Sequence, residues 1–126
     1  MKTAFVDTSC FVAIITGEAG SEQIASRIGS FEKIVASNLL EAELRSVANR
    51  ENVAANVDSR IARIAWLHPD RPLTGEFHDV LAAGYLRGAD LWHVAVALWA
   101  DPRHEITFLT LDNRQKAIAR ALGFPT

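Results

Sequence analysis

Three short and almost wholly apolar runs, each followed by a polar or acidic residue, most constrain the fold of this chain. They are Ala4-Phe5-Val6 before Asp7, Lys33-Ile34-Val35-Ala36 before Ser37, and Ile106 to Leu111 before Asp112. Short apolar runs of this kind are typical of parallel strands that are covered on both faces. Helical patterns separate the runs. The sequence therefore predicts an α/β fold with a central, mostly parallel sheet flanked by helices.

The helices are predicted from the spacing of apolar residues and from the residues that begin or end helices. We expect helices over 11–16, 21–28, 39–51, 54–67, 75–86, 91–100 and 113–122, with 71–73 as a further candidate strand. Gly17, Gly29 and Gly123 lie where a glycine would end a helix. No linker or internal repeat is recognisable, so we expect one domain over residues 1–126.

Charge, hydrophobicity and cysteine content exclude several classes of protein. The chain has 13 basic and 15 acidic residues, and its net charge of −2 argues against a generally basic nucleic-acid coat. A hydrophobic content of 49% argues against disorder, and a single cysteine excludes an internal disulfide. No apolar stretch approaches the length of about 20 residues that spans a membrane. With no secretion signal recognised, we expect a soluble cytoplasmic protein.

Four carboxylates are the main candidates for chemistry: Asp7, Glu43, Asp90 and Asp112. Asp7 and Asp112 follow apolar strands, at the sheet edge where open α/β folds bind ligands. Asp90 immediately precedes an apolar helix, and Glu43 lies early in helix 39–51 with no cation at helical spacing. If the four meet in space, their repulsion must raise their pKa values or attract cations, and hard oxygen ligands suit Mg²⁺ or Mn²⁺. The alternative is that the three Asp residues simply cap helices.

Polar side chains beside these acids are secondary candidates. The hydroxyls of Thr8, Ser9 and Thr110 either orient a carboxylate or a water, or complete the end of a helix or strand. His93 lies one helical turn after Asp90. It either hydrogen-bonds the acidic cup or substrate, or packs in the core.

Four local motifs resemble those of PIN-domain ribonucleases. The opening Ala4-Phe5-Val6-Asp7-Thr8-Ser9 is similar to the first motif of that family, and 37–45, with Glu43 before a leucine, resembles the second. Residues 89–95, with Asp90 followed three residues later by His93, resemble the third motif, and 109–112 resembles the fourth. Motif order and chain length are most similar to the VapC toxins of toxin–antitoxin pairs.

The resemblance implies a PIN-like three-layer fold, whose central, mostly parallel sheet has four or five short strands, and a metal-dependent endoribonuclease. It implies that Asp7, Glu43 and Asp90 hold Mg²⁺ or Mn²⁺, and that Asp112 completes the acidic cup or helps with a second ion. It also implies an RNA substrate, a cognate antitoxin protein, and a homodimer or toxin–antitoxin hetero-oligomer. Helices 39–51 and 54–67 are the surface we expect for the dimer.

Arginines close in sequence to the motif acids are the candidate RNA contacts. Ten of the 13 basic residues are arginine, whose planar guanidinium suits phosphate oxygens. Arg45, Arg87 and Arg114 each lie within a few residues of a motif acid.

Two other functions stay open at the level of sequence. A PIN-like domain that binds or processes RNA without being a toxin would carry the same motifs, although the presence of all four acids argues against a domain that does not cleave. A phosphotransferase with Asp7 as nucleophile would resemble haloacid dehalogenases. Their motif has a second Asp at the position of Ser9, and this chain has only three lysines, Lys2, Lys33 and Lys116.

Overall fold

A four-stranded, all-parallel sheet forms the centre of the protein in the computed structural model, which describes residues 2–126. The strands are β1 (Thr3–Val6), β2 (Lys33–Ser37), β3 (Ile64–Leu67) and β4 (Thr107–Leu109), in the spatial order β3-β2-β1-β4. The register of β1 against β2 pairs Phe5 with Val35, and its register against β4 pairs Phe5 with Phe108. The predicted α/β class with a parallel sheet is confirmed.

Helices cover both faces of this sheet, which makes the three layers that the sequence predicted. The described helices are α1 (Thr8–Thr16), α2 (Ser21–Gly29), α3 (Leu39–Arg50), α4 (Val57–Ile61), α5 (Thr74–Ala83), α6 (Gly88–Ala100) and α7 (Asn113–Ala121). Successive residues of a strand point to opposite faces. Ala4 and Val6 therefore pack in one apolar cluster with α1 to α4, whereas Phe5 packs in a second cluster with α5 to α7.

The order of the strands reverses at β1. The chain runs outward from β1 to β2 and β3, and then crosses back to place β4 on the other side of β1. Right-handed crossovers put the connecting helices on opposite faces before and after such a reversal. Open α/β sheets bind ligands at this switch point, outside the carboxyl ends of the strands. Asp7 directly follows β1 there, and Thr110 directly follows β4.

The helix predicted over 54–67 is wrong. Residues Ala54–Asn56 form a 3₁₀ turn, α4 ends at Ile61, and residues from Ile64 to Leu67 form β3, paired in parallel with β2. The apolar residues of this segment fit a helical spacing, but a run of four apolar residues does not distinguish helix from strand by its period. Pairing with β2 decides the outcome. The helix pair expected as a dimer surface is accordingly reduced to α3 and the short α4.

Three smaller differences concern one candidate strand and the starts of two helices. The candidate strand over 71–73 is not a strand. The helix expected from residue 11 begins at Thr8, and the helix expected from residue 91 begins at Gly88. Asp90 consequently lies inside the first turn of α6 rather than before the helix. In residues 2–126, no helix has the length and apolar character needed to cross a membrane.

Candidate active site

Asp7 is a nearly buried carboxylate at the carboxyl end of β1, with only 3% of the residue exposed. The Ser9 hydroxyl donates a hydrogen bond to its Oδ1 at 2.6 Å. Burial raises the pKa of Asp7 from 3.8 to about 6, and the Ser9 bond and the charge of His93 only partly oppose this rise. No Lys or Arg in the described chain forms an ion pair with Asp7. Its negative charge is therefore not neutralised by a Lys or Arg in residues 2–126.

Glu43 is held by two side chains from other elements. The Thr8 hydroxyl donates to Oε1 at 2.7 Å, and His93 Nε2 lies 2.6 Å from the same oxygen. The bond from His93 is the largest cause that lowers the pKa of Glu43. The carboxylate is therefore ionised and accepts a hydrogen bond from the Nε2–H group of His93. Nδ1 of His93 lies 2.8 Å from the hydroxyl of Ser37, which itself accepts the backbone N–H of Leu39.

His93 therefore connects the end of β2 to the acid on α3. Only 1% of its side chain is exposed, whereas 31% of the Glu43 side chain is exposed. A buried imidazole whose two nitrogens both have partners has a fixed ring orientation. The ring consequently limits the directions in which the Glu43 carboxylate can point.

Asp90 interacts electrostatically with the other three acids. Its pKa is raised, first by burial and next by the charge of Asp112, with a smaller contribution from Glu43. The charge of Asp90 in turn contributes to the raised pKa of Asp7. Arg87 opposes the rise at Asp90. These effects put Asp90 within electrostatic range of Asp7, Glu43 and Asp112.

Asp112 begins the last helix and is joined to Asp90 through a glutamine. Its Oδ1 accepts the backbone N–H of Gln115 at 3.0 Å. The Gln115 side chain is buried, accepts a bond from Thr110 at 2.9 Å and donates to the backbone oxygen of Asp90 at 3.2 Å. Thr110 also accepts the backbone N–H of Asp112 at 3.0 Å. This network fixes the start of α7 against the start of α6.

The capping alternative applies to only one of the three aspartates. Asp112 is the N-cap of α7 and makes the capping hydrogen bond. Asp7 occupies the N-cap position of α1 but makes no side-chain cap bond, and Asp90 lies within α6. Helix capping therefore does not account for Asp7 or Asp90.

The acids fit a divalent cation by their chemistry, although they are not assembled as a closed set of ligands. No group of three or more His, Cys, Asp or Glu side chains in residues 2–126 has the arrangement of a metal site. Asp7, Glu43 and Asp112 each use a single carboxylate oxygen in the bonds above. Hard oxygen atoms with uncompensated charge are the donors that Mg²⁺ and Mn²⁺ prefer.

An open pocket of about 250 Å³ adjoins two of the acids. Its lining residues are Tyr85, Leu86, Arg87, Asp90, Asp112 and Arg114. The structure thus brings two of the three predicted arginines to the acids. Arg45 instead bonds Glu41 at 2.8 Å and Asp58 at 2.7 Å on the exposed surface, and it does not line the pocket.

Sequence reasoning missed three residues of this region. Ser37 bonds His93, Gln115 joins Thr110 to Asp90, and Tyr85 lines the pocket. Ser37 ends an apolar strand in the same manner as Asp7, and this position was a usable signal. Gln115 lies on a helix with no local pattern that marks it, because its partners come from other elements.

The comparison with known families agrees with the fold and the motifs. A family model described as PIN domain matches residues 4–121, a range that contains all four acids. No curated protein matches the sequence. Because the family model covers most of the chain, from β1 to the end of α7, this protein belongs to the PIN domain family.

Proposed function

We propose that this protein is a divalent-metal-dependent endoribonuclease. PIN domains are in general metal-dependent nucleases. The proposal adds RNA as the substrate, Mg²⁺ or Mn²⁺ as the ion, and Asp7, Glu43, Asp90 and Asp112 as the acids that hold it. The observation that carries it is Asp7, a carboxylate 3% exposed whose pKa is raised to about 6 and which forms no ion pair with a Lys or Arg in residues 2–126. Such a group is costly unless a cation from solution compensates it.

The side chains around the acids orient them for this task. Ser9 directs one oxygen of Asp7, and Thr8 together with His93 directs one oxygen of Glu43. A divalent cation held by these acids would offset the negative charge of the phosphodiester, and it would activate a water for hydrolysis. The fixed orientation of the acids leaves their remaining oxygens for the cation. Without the cation, the four carboxylates would repel an RNA phosphate.

Cleavage of a labelled single-stranded RNA with Mg²⁺ or Mn²⁺ tests the proposal. We expect metal-dependent products from the wild type and a loss of at least about 100-fold for Asp90→Asn, which keeps the side-chain size and removes the charge at a metal ligand. The matched control is Asp79→Asn, an exposed aspartate on α5 outside the site. Full activity of Asp90→Asn would remove the proposed site, and a folded wild type without metal-dependent cleavage would remove the proposed function.

The biological role that we propose is that of a toxin. Its support is the similarity of motif order and chain length to VapC toxins. The role includes a cognate antitoxin protein that covers the acids and a homodimer or hetero-oligomer with that antitoxin. Induced expression should arrest growth, co-expression of a short neighbouring reading frame should restore it, and Asp90→Asn should not arrest growth. Cleavage without growth arrest would favour a role in RNA processing.

Two further outcomes would identify the two alternative functions. Metal-independent RNA binding without any cleavage would identify an RNA-binding module. An aspartyl-phosphate trapped at Asp7 would identify a phosphotransferase. Against the latter, the position of the second Asp is Ser9, whose hydroxyl donates to Asp7 and accepts the backbone N–H of Leu111.

A further inference from the structure

Tyr85 is an exposed aromatic residue in the loop between α5 and α6. The residue is 65% exposed, whereas its neighbour Leu86 is 4% exposed and packs in the second apolar cluster. The buried neighbour anchors the loop, so the tyrosine is presented to solvent from a fixed position. A large, anchored and exposed ring is characteristic of a binding surface rather than of core packing.

Two arginines line the same pocket as this ring. Cζ of Arg114 lies 6.0 Å from the centroid of the Tyr85 ring, within the range of a cation–π contact. Arg87 is two residues from Tyr85 and lines the same pocket. Neither arginine forms an ion pair with an acid in residues 2–126, unlike Arg45 and Arg71.

The ring, the arginines and two of the candidate metal ligands line one pocket. Tyr85, Arg87 and Arg114 share the pocket of about 250 Å³ with Asp90 and Asp112. An aromatic ring offers stacking to a base, and a guanidinium offers paired hydrogen bonds to a phosphate. The combination matches one nucleotide, with its base on the ring and its phosphates between the arginines and the acids.

We propose that Tyr85, Arg87 and Arg114 form a subsite for an unpaired nucleotide next to the cleaved phosphodiester. This inference rests on the proposed function and deepens it, because it assigns to Tyr85 the contact with the base beside the cleaved phosphodiester. Bases inside an RNA helix are stacked on one another and do not offer a free face to a protein ring, whereas unpaired bases do. The pocket thus selects for segments that are unpaired at the cleavage site.

Equilibrium binding tests the subsite separately from cleavage. Fluorescence anisotropy of a labelled, unstructured RNA 12-mer would be measured with wild type, Tyr85→Ala and Tyr85→Phe, with Ca²⁺ in place of Mg²⁺ or Mn²⁺ to offset the charge of the acids. We expect Tyr85→Ala to weaken binding about 5- to 150-fold, the loss of one stacked base, and Tyr85→Phe to stay within about twofold. The matched control is Leu81→Ala, an exposed apolar residue on α5 that does not line the pocket. The same RNA in a duplex should bind all four proteins equally.

Replacement of single bases by abasic sites adds a test specific to stacking. The abasic position nearest to the mapped cleavage site should weaken binding to the wild type and leave Tyr85→Ala unaffected, because both changes remove the same contact. Where the RNA is cleaved, Tyr85→Ala should raise KM more than it lowers kcat.

Each other outcome overturns the subsite or the proposed function, and the two are distinguishable. Unchanged RNA binding by Tyr85→Ala, or the same loss in Leu81→Ala, overturns the subsite. A shift from dimer to monomer in sedimentation of Tyr85→Ala, with unchanged RNA binding, assigns the ring to a protein interface instead. Tyr85-dependent RNA binding by a wild type that cleaves nothing with Mg²⁺ or Mn²⁺ overturns the nuclease and retains the subsite.

Discussion

Asp7→Asn is expected to stabilise the metal-free protein while it abolishes metal-dependent cleavage. Asp7 is 3% exposed, and burial is the main cause that raises its pKa from 3.8 to about 6. The folded protein therefore bears a cost for ionising Asp7 that the unfolded chain does not. At 1.36 kcal/mol per pKa unit, this cost approaches about 3 kcal/mol at neutral pH.

The sign of the pH dependence follows from the order of the two pKa values. Above about pH 4 the unfolded chain releases the Asp7 proton, whereas the folded protein keeps it until about pH 6. The wild type therefore loses stability through this group as pH rises from about 4 to 6, and the Asp7→Asn variant does not. The amide introduced by this substitution retains an oxygen for Ser9 but adds a buried N–H₂ that costs about 1 kcal/mol. The net gain at pH 7 is about 2 kcal/mol.

Urea unfolding between pH 4 and pH 8 in EDTA measures this gain. The difference between variant and wild type isolates Asp7, since all other titrating groups are common to both proteins. We expect the difference to be near zero or slightly unfavourable at pH 4 and to grow to about 2 kcal/mol by pH 7. Asp79→Asn, at an exposed position, should stay within about 0.5 kcal/mol at every pH. A variant that is no more stable at pH 7, or a difference independent of pH, would refute the reasoning.

Three further predictions concern the residues around the acids. His93→Leu leaves the buried Ser37 hydroxyl and Glu43 without their partner and should lower the free energy of unfolding in urea by about 2–4 kcal/mol. His93→Gln retains an N–H donor, so it should recover part of this stability and bind divalent ions more tightly than His93→Leu in calorimetry. Equal behaviour of the two variants would contradict the assigned bond. Gln115→Leu removes the partners of Thr110 and of the Asp90 carbonyl, so a loss of about 1–3 kcal/mol is expected, and an unchanged stability would show that the network is dispensable. Burial raises the pKa of the Cys10 thiol to about 12. A thiol reagent at pH 8 should therefore leave the folded protein unmodified and label one thiol after unfolding. Rapid labelling of the folded protein would contradict this burial.

The helices and strands with strong local patterns were predictable, and the one major error shows the limit of such patterns. β1 and β2 were recognised because their apolar runs are bounded by polar residues, and α7 because Asp112 and Gly123 enclose it. The sequence pattern predicts a helix over β3, because four apolar residues fit either a helix or a strand. Its pairing with β2, thirty residues earlier in the chain, is a contact that no local window contains.

The candidate site divides in the same way. The four acids were recognisable from their positions after strands and within motifs. The raised pKa values of Asp7 and Asp90 come first from burial, which only the tertiary structure shows, and to a smaller extent from neighbouring acids. Whether an aspartate caps a helix was not decidable from sequence, since residue type and position alone are the same for Asp7 and Asp112. The hydrogen bond to Gln115 settles it for Asp112.

By itself, the sequence determined the fold class, the order of the motifs and the identity of the acids, because these depend on residues near one another in the chain. Tertiary structure decided which side chains hold those acids and which residues share their pocket. His93 meets Glu43 across 50 residues and Ser37 across 56, and Gln115 meets the Asp90 carbonyl across 25. Tyr85 joins Arg114 only because α5, α6 and α7 pack on the same face of the sheet. Such contacts arise from the packing of whole elements, whose relative positions no local pattern specifies.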